Sequence, residues 1–494
     1  MSAPLTRRRF VAGAAGAVAA VPELTAPRTA IAAAAARSVD VAIVGAGLAG
    51  LTAARALVRA GRSVVVVEAR DRVGGRIWNH DLGAGHVSER GATFVGPTQN
   101  HIARLLRELR IGTFPVYDQG DDVYVAGGER LTYSDRGPFG TAPPDPTIAA
   151  QLASLVLDID RRSTGVPVRA PWTAEGAAAL DGQTLQSYMD AQGAPPRLQH
   201  LAAAALRAVF GAEARELSML FTLFYVAASG DRKHPGSFQR NFDTRGGAQA
   251  ARIQGGSQAL PEAIAARLGG SRLLLRSPVR AIRQRAAGVQ IVSDRETVDT
   301  RQAIIALPPA LAGRIDYEPT LPFERDQLTQ RFGQGTLTKV AAVYERPFWR
   351  ERGLTGSAVD TGFPISVGYD DSPPGGRPGV VFGFVGGDNA RRYARLAPAQ
   401  RRAAVLAQLE AWFGRGARHP RSFFQTSWAD QQWTRGCPVG IPAVGSLVSY
   451  GPWLREPIGR LHWAGTETAT WWNGYMDGAI SSGERAAAEV HAAL

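Results

Sequence analysis

Residues 39–76 read VDVAIVGAGLAGLTAARALVRAGRSVVVVEARDRVGGR. The run opens with β-branched residues (Val39, Val41, Ile43, Val44), the mark of a strand buried on both faces of a parallel sheet. Gly45, Gly47 and Gly50 follow in G-x-G-x-x-G spacing, and Leu51, Ala54 and Leu57 then repeat at helical intervals. A second apolar strand, Ser63–Val67, ends on Glu68, 18 residues past the last glycine. Glycines in this pattern permit a tight turn and bring backbone N–H groups against a pyrophosphate at a helix N-terminus. An acid at the end of the second strand is placed to accept hydrogen bonds from a ribose. The stretch is therefore expected to bind a dinucleotide.

Outward from it, the N-terminus places Thr6-Arg7-Arg8-Arg9-Phe10 ahead of a weakly apolar run, Val11–Val21, and small residues to Ala36. A basic region, a short apolar core and small-residue cleavage sites define an export signal, and the paired arginines point to the twin-arginine route. The apolar run falls short of the roughly 20 residues that span a bilayer, so no stable membrane insertion is expected. The 494-residue chain carries a formal charge of +13, but its cations are 54 arginines and only two lysines, Lys233 and Lys339. The arginines are scattered among acids and lack interleaved aromatics, which gives a nucleic-acid partner no support. One cysteine, Cys437, excludes an intramolecular disulfide.

Past Arg76 the pattern changes character several times. A turn at Gly91 leads to a helix expected from Pro97, and Tyr117–Tyr133 alternates like a hairpin. A Pro/Gly-rich loop covers residues 137–146, and residues 147–229 are helical in period. Residues 255–269 read as turn and helix, strands follow to Pro309, and these are expected to rejoin the first sheet. Residues 335–385 alternate as a second sheet, Pro398–Gly414 is helical, and the chain closes with a strand, a loop and an amphipathic helix. The expected division is a signal peptide over 1–36, a cofactor domain over 37–116, 246–310 and 425–494, and a substrate domain over 117–245 (mainly helical) and 311–424.

Five ordered blocks carry a resemblance. They are Glu68–Arg76 (EARDRVGGR), Gly91–Asn100 (GATFVGPTQN), Gly335–Val340 (GTLTKV), Pro347–Arg350 (PFWR) and Gly465–Thr470 (GTETAT) with Gly474–Met476 (GYM). Together they resemble the flavin-containing monoamine oxidase family over nearly the whole length after the signal. The resemblance implies an α/β (α+β) fold: a Rossmann-like FAD-binding domain plus a mixed sheet-and-helix substrate domain, both discontinuous. It implies FAD at Gly45, Ala46, Gly47 and Gly50 (pyrophosphate), Glu68 (ribose), and Ala69, Arg70, Gly74, Gly75 and Arg76 along its path. It also places Ala92, Thr93, Val279, Trp428, Cys437, Gly465, Glu467, Tyr475 and Met476 around the cofactor, with Glu467 closing over the ribityl chain.

The catalytic residues it implies are Lys339, holding a water near the flavin, and Tyr475, one of two aromatics facing the substrate nitrogen. The second falls at Pro438, which is not aromatic; Trp433 or Trp471 is expected to substitute in part. Cys437 stands where membrane-bound relatives join a cysteine to the flavin; a buried free thiol is the alternative. The implied reaction is oxidative deamination of a primary aryl-alkyl or aliphatic monoamine to aldehyde, ammonia and hydrogen peroxide, with O2 as acceptor. An L-amino acid oxidase, a polyamine or diamine oxidase, and a flavin-binding protein without turnover stay open, as does a homodimer. A nicotinamide dehydrogenase leaves the blocks at 335–340 and 465–476 unexplained.

Overall fold

The dinucleotide stretch folds as its pattern requires. A strand, Arg37–Val44, is followed by a helix, Leu48–Arg59, and a second strand, Val64–Val67. A computed structural model describes residues 37–137 and 140–494; the export signal expected over 1–36 lies outside the described residues. The two strands pair in parallel, with Val41 opposite Val64 and Val44 opposite Val67. On its other edge the opening strand pairs in parallel with Thr297–Ile305, with Ile43 opposite Ile304 and Val44 opposite Ile305. That strand pairs in turn with Leu461–Trp463. The sheet is extended by Leu273–Leu274 beyond Val64–Val67, and by Gly288–Ser293, Val279–Arg285 and Asp316–Glu318 on the far side.

Both faces of this sheet are covered, which explains why its strands are apolar without alternation. Val41, Ile43, Val64 and Val66 pack under the opening helix, the helices Asn100–Leu109 and Ala259–Leu268, and the closing helix Met476–Ala493. Ala42, Val44, Val65 and Val67 pack on the other side with Ile282, Ile291, Ile315, Tyr317 and Trp463. The helix expected from Pro97 begins at Asn100 instead. Thr98 there adopts a left-handed φ of 64°, a turn conformation that delays the helix.

A second sheet has seven strands in the order Ser422–Ser427, Leu337–Tyr344, Gly379–Gly386, Val367–Asp370, Leu354–Asp360, Asp121–Ala126 and Glu129–Tyr133. The helix Pro398–Phe413 buries Val405, Leu409, Trp412 and Phe413 against it. The helical stretch supplies Ala149–Ser163, Leu185–Ala191, Pro196–Phe210 and Met219–Ala227. Met219–Ala227 is buried on every side, as its continuous apolar sequence demands. No helix among the described residues is long and apolar enough to cross a membrane.

Candidate active site

Gly45, Glu68, Ala306 and Gly465 each follow the carboxyl end of a parallel strand in the first sheet. Strand order makes this edge a switch point, because the opening strand leads to Val64–Val67 on one side while its other neighbour, Thr297–Ile305, leads on to Asp316–Glu318 on the opposite side. A cavity of ≈ 480 Å³ begins here and runs to the second sheet. Gly45, Gly47, Glu68, Ala69, Arg70, Gly74, Gly75, Arg76 and Val279 line it at the switch point. Ala92, Thr93, Lys339, Phe384, Trp428, Cys437, Pro438, Gly465, Tyr475 and Met476 line the remainder. Sequence positions as distant as 45 and 479 thus share one wall.

Three expected cofactor residues do not line this cavity. Ala46 is buried, and its N–H donates to Glu68 Oε2 at 2.7 Å, so it holds the acid rather than a phosphate. Gly50 is a packing residue: a β-carbon there would come within 2.0 Å of the Gly45 carbonyl oxygen. Glu467, expected over the ribityl chain, does not line the cavity and is engaged by Arg76 instead. It is 2% exposed and forms a two-pronged pair with Arg76, Nη1 to Oε1 at 2.6 Å and Nη2 to Oε2 at 3.0 Å. Arg76 Nη1 also donates to the Pro438 carbonyl at 2.8 Å, so its charge is already compensated. Burial would raise the Glu467 carboxyl, but Arg76 and the Gly440 N–H outweigh it and hold the group below its ordinary range.

Glu68 occupies the position its spacing predicts. Oε1 accepts from the Arg70 N–H at 2.8 Å while Oε2 takes Ala46, which fixes both turns of the motif around one carboxylate. A carboxylate has lone pairs beyond those two bonds, so it keeps capacity for a ribose hydroxyl. A β-carbon at Gly47 would meet no atom within 4 Å and would project into the cavity, so the space is kept open by the absence of a side chain. Acid, glycine cradle and long cavity fit an extended dinucleotide.

At the far end, Lys339 is 2% exposed on the strand Leu337–Tyr344. Its Nζ donates to Thr93 Oγ1 at 2.6 Å and to the Gly91 carbonyl at 3.3 Å, and lies 3.7 Å from the centre of the Phe382 ring. Burial pushes this lysine below its ordinary value, while Asp371 and Glu89 oppose that fall. Tyr475 donates from Oη to Asn241 Oδ1 at 3.0 Å. Its ring meets Trp472 edge-on with centres 4.9 Å apart, and Tyr225 stands 6.0 Å away. Burial pushes its phenol upward, so it stays neutral. Cys437 is buried on the wall between Leu337 and Trp428, and burial drives its thiol up to about 12.

The expected substitutes for the missing aromatic at Pro438 are not there. Trp433 lies at the switch-point end, where its carbonyl accepts from Arg70 and its ring lies under Arg280, 5.6 Å from the guanidinium. Trp471 does not line the cavity. The aromatics beside Lys339 are Phe382 and Phe384, which lie outside the five resembling blocks; the alternation VVFGFV carries the signal, since both fall on one face of a strand. Asn241, the hydrogen-bond partner of Tyr475, ends a single 3-10 turn, Gln239–Asn241, too short for a local pattern to mark it.

Comparison with known proteins agrees with this geometry. The family model for flavin containing amine oxidoreductase matches residues 48–491. AofH of Mycobacterium tuberculosis, whose name describes a flavin-containing monoamine oxidase, is 39% identical over 458 residues, 92% of this chain and 97% of the relative. Cyclohexylamine oxidase from Brevibacterium oxydans superposes with a TM-score of 0.87 at 34% identity, covering 92% of this chain and 99% of that one. A putrescine oxidase bound to putrescine superposes with a TM-score of 0.86 at 32% identity over the same shares. The chain belongs to the flavin-containing amine oxidoreductases and is an FAD-dependent amine oxidase.

Proposed function

We propose that the amine is a primary aryl-alkyl or aliphatic monoamine, deaminated to an aldehyde at the Lys339–Tyr475 end of the cavity. One observation carries this reading: Lys339 and Tyr475 open on the same cavity as Gly47 and Glu68. The names of the two monoamine-type relatives, one a monoamine oxidase and one a cyclohexylamine oxidase, support the substrate class.

Bound FAD supplies the two-electron acceptor and passes the electrons to O2. Gly45, Gly47 and Gly75 would hold its pyrophosphate side, Glu68 its ribose, and Ala92, Thr93, Cys437, Tyr475 and Met476 its reacting end. The chain's own work is desolvation and orientation. Phe384, Trp428 and Tyr475 exclude water and favour the neutral amine over its ammonium form. Tyr475, braced by Trp472, Tyr225 and Asn241, gives the amine a fixed aromatic face. Lys339, tied to Thr93, points a hydrogen-bond donor into the same space.

Anaerobic mixing of the purified yellow protein with a panel of amines tests this. Benzyl, phenethyl and short aliphatic monoamines should bleach the visible spectrum faster than diamines or L-amino acids. The Lys339→Met variant should keep the flavin spectrum yet complete the cycle of bleaching and reoxidation about a hundredfold more slowly. Bleaching only by amino acids or only by diamines overturns the substrate class, and an unimpaired variant removes Lys339 from the reaction.

A further inference from the structure

Behind Lys339 lies a second set of ionisable side chains. Glu89 and Asp371 are each 0% exposed and Arg252 is 3% exposed. Arg252 Nη2 stands 2.9 Å from Glu89 Oε2 and 3.1 Å from Asp371 Oδ1, and Nη1 donates to the Ser372 carbonyl at 3.0 Å. The Ser88 hydroxyl donates to Asp371 Oδ2. Glu89 Oε1, Asp371 Oδ1 and Arg252 Nε have no hydrogen bond of their own.

The same backbone segments hold this cluster and the Lys339 ammonium. Glu89 ends the strand His86–Glu89, just ahead of Gly91, whose carbonyl Lys339 binds. Arg252 pairs across a ladder with Phe94, next to Thr93, the other acceptor of Lys339. Asp371 follows the strand Val367–Asp370, separated from the lysine's strand by Gly379–Gly386 alone, which carries Phe382 beneath the ammonium.

Counted as ions, Glu89 and Asp371 outweigh Arg252, and Lys339 is the cation that restores neutrality. A buried set with unbalanced charge is costly, so the charge of each member depends on the others. Burial favours a neutral Lys339; Asp371 and Glu89 oppose this, Arg252 works against them, and Cys437 adds a weaker pull in their favour. Asp371 is pushed upward by burial and by Glu89, and held down by Arg252, Lys339 and Ser88.

We propose that Asp371 and Glu89, fixed by Arg252, are positioning residues that keep Lys339 an ammonium at the reacting end of the cavity. The idea rests on the reading of Lys339 as the polar group of that end. It gives a function to charges that do not line the cavity: they set the protonation state of Lys339, which does. An ammonium offers three donors and no acceptor, which fits its bonds to Thr93 and Gly91.

Lysine content makes the test direct. Holoenzyme labelled with isotopic carbon at lysine Cε shows two lysine resonances, from exposed Lys233 and buried Lys339, assigned by Lys233→Arg. In a pH titration, Asp371→Asn and Glu89→Gln should each lower the Lys339 midpoint by about 1–3 pH units. Asp371→Glu should restore it, and Lys233 should not move. An unchanged Lys339 midpoint in both charge-removing variants overturns the proposal. So does a wild-type Lys339 already neutral in neutral buffer, a result that requires no variant to fold. Turnover is not the readout, so a failure here is separable from a failure of the amine panel.

Discussion

The Glu68 carboxylate joins the two turns of the cofactor cradle, accepting from Ala46 on one side and Arg70 on the other. Glutamine in its place would turn an NH2 group toward one of those N–H donors, so two donors would face each other. Hydrogen bonds to a charged group are worth about 1.5–3 kcal/mol, and losing one here also loosens the turn that Gly47 follows. Glu68→Gln should therefore weaken FAD binding by about tenfold to a hundredfold, read by flavin fluorescence as apoprotein is titrated with FAD. Its stability without FAD should fall as well, because the same two N–H bonds hold the turns when the cavity is empty. An unaltered affinity would show that the acid serves the fold alone. Residue identity also explains Lys339: a chain that uses arginine nearly everywhere keeps lysine where a compact cation must fit between Thr93 and the Phe382 ring.

Among the elements, the opening helix Leu48–Arg59 and the closing helix Met476–Ala493 lie against each other over the first sheet. Their backbones meet at Gly483, where a β-carbon would come within 2.2 Å of the Ala49 carbonyl oxygen. Gly483→Ala must push the helices apart, an overpacking cost of about 1–3 kcal/mol. Because the closing helix begins at Met476, beside Tyr475, the shift reaches the reacting end. The variant should show a lower Tm and looser FAD retention together, by thermal melting and gel filtration; a lower Tm with normal retention would confine the contact to stability. Elements of this kind were legible in advance because strand and helix periods are local. The opening strand–helix–strand unit, the second sheet and the closing helix could all be read from spacing, and so could Glu68; Lys339 and Tyr475 were placed in the same site by the resemblance of the blocks that hold them. What local pattern could not reveal was pairing across the chain. Glu89 and Arg252 are 163 residues apart, and nothing near either names the other. Trp433 was expected beside Tyr475 for the same reason: an aromatic near Pro438 in sequence belongs, in space, to Arg70 and Arg280.

At the scale of the molecule, the Arg76–Glu467 pair spans 391 residues and ties the end of the dinucleotide motif to the last segment of the chain. Glu467 Oε1 also accepts from the Gly440 N–H at 3.0 Å, while Arg76 holds the Pro438 carbonyl. Three distant segments, around residues 76, 438 and 467, are thereby pinned beside the cavity wall that carries Cys437. Removing one partner of a buried ion pair strands the other charge, at a cost of about 3–5 kcal/mol. Glu467→Gln should destabilise the protein by that order and reduce FAD retention, although Glu467 itself does not line the cavity. The sign of the pH dependence follows from the depressed carboxyl. Folding lowers the proton affinity of Glu467, so its stabilisation is fully present at neutral pH and is lost as acid approaches the folded value, below about pH 4. Melting curves of wild type and variant should therefore differ most at neutral pH and converge on acidification. A gap in Tm that stays constant through that range would mean that shape at residue 467, rather than charge, holds the segments together.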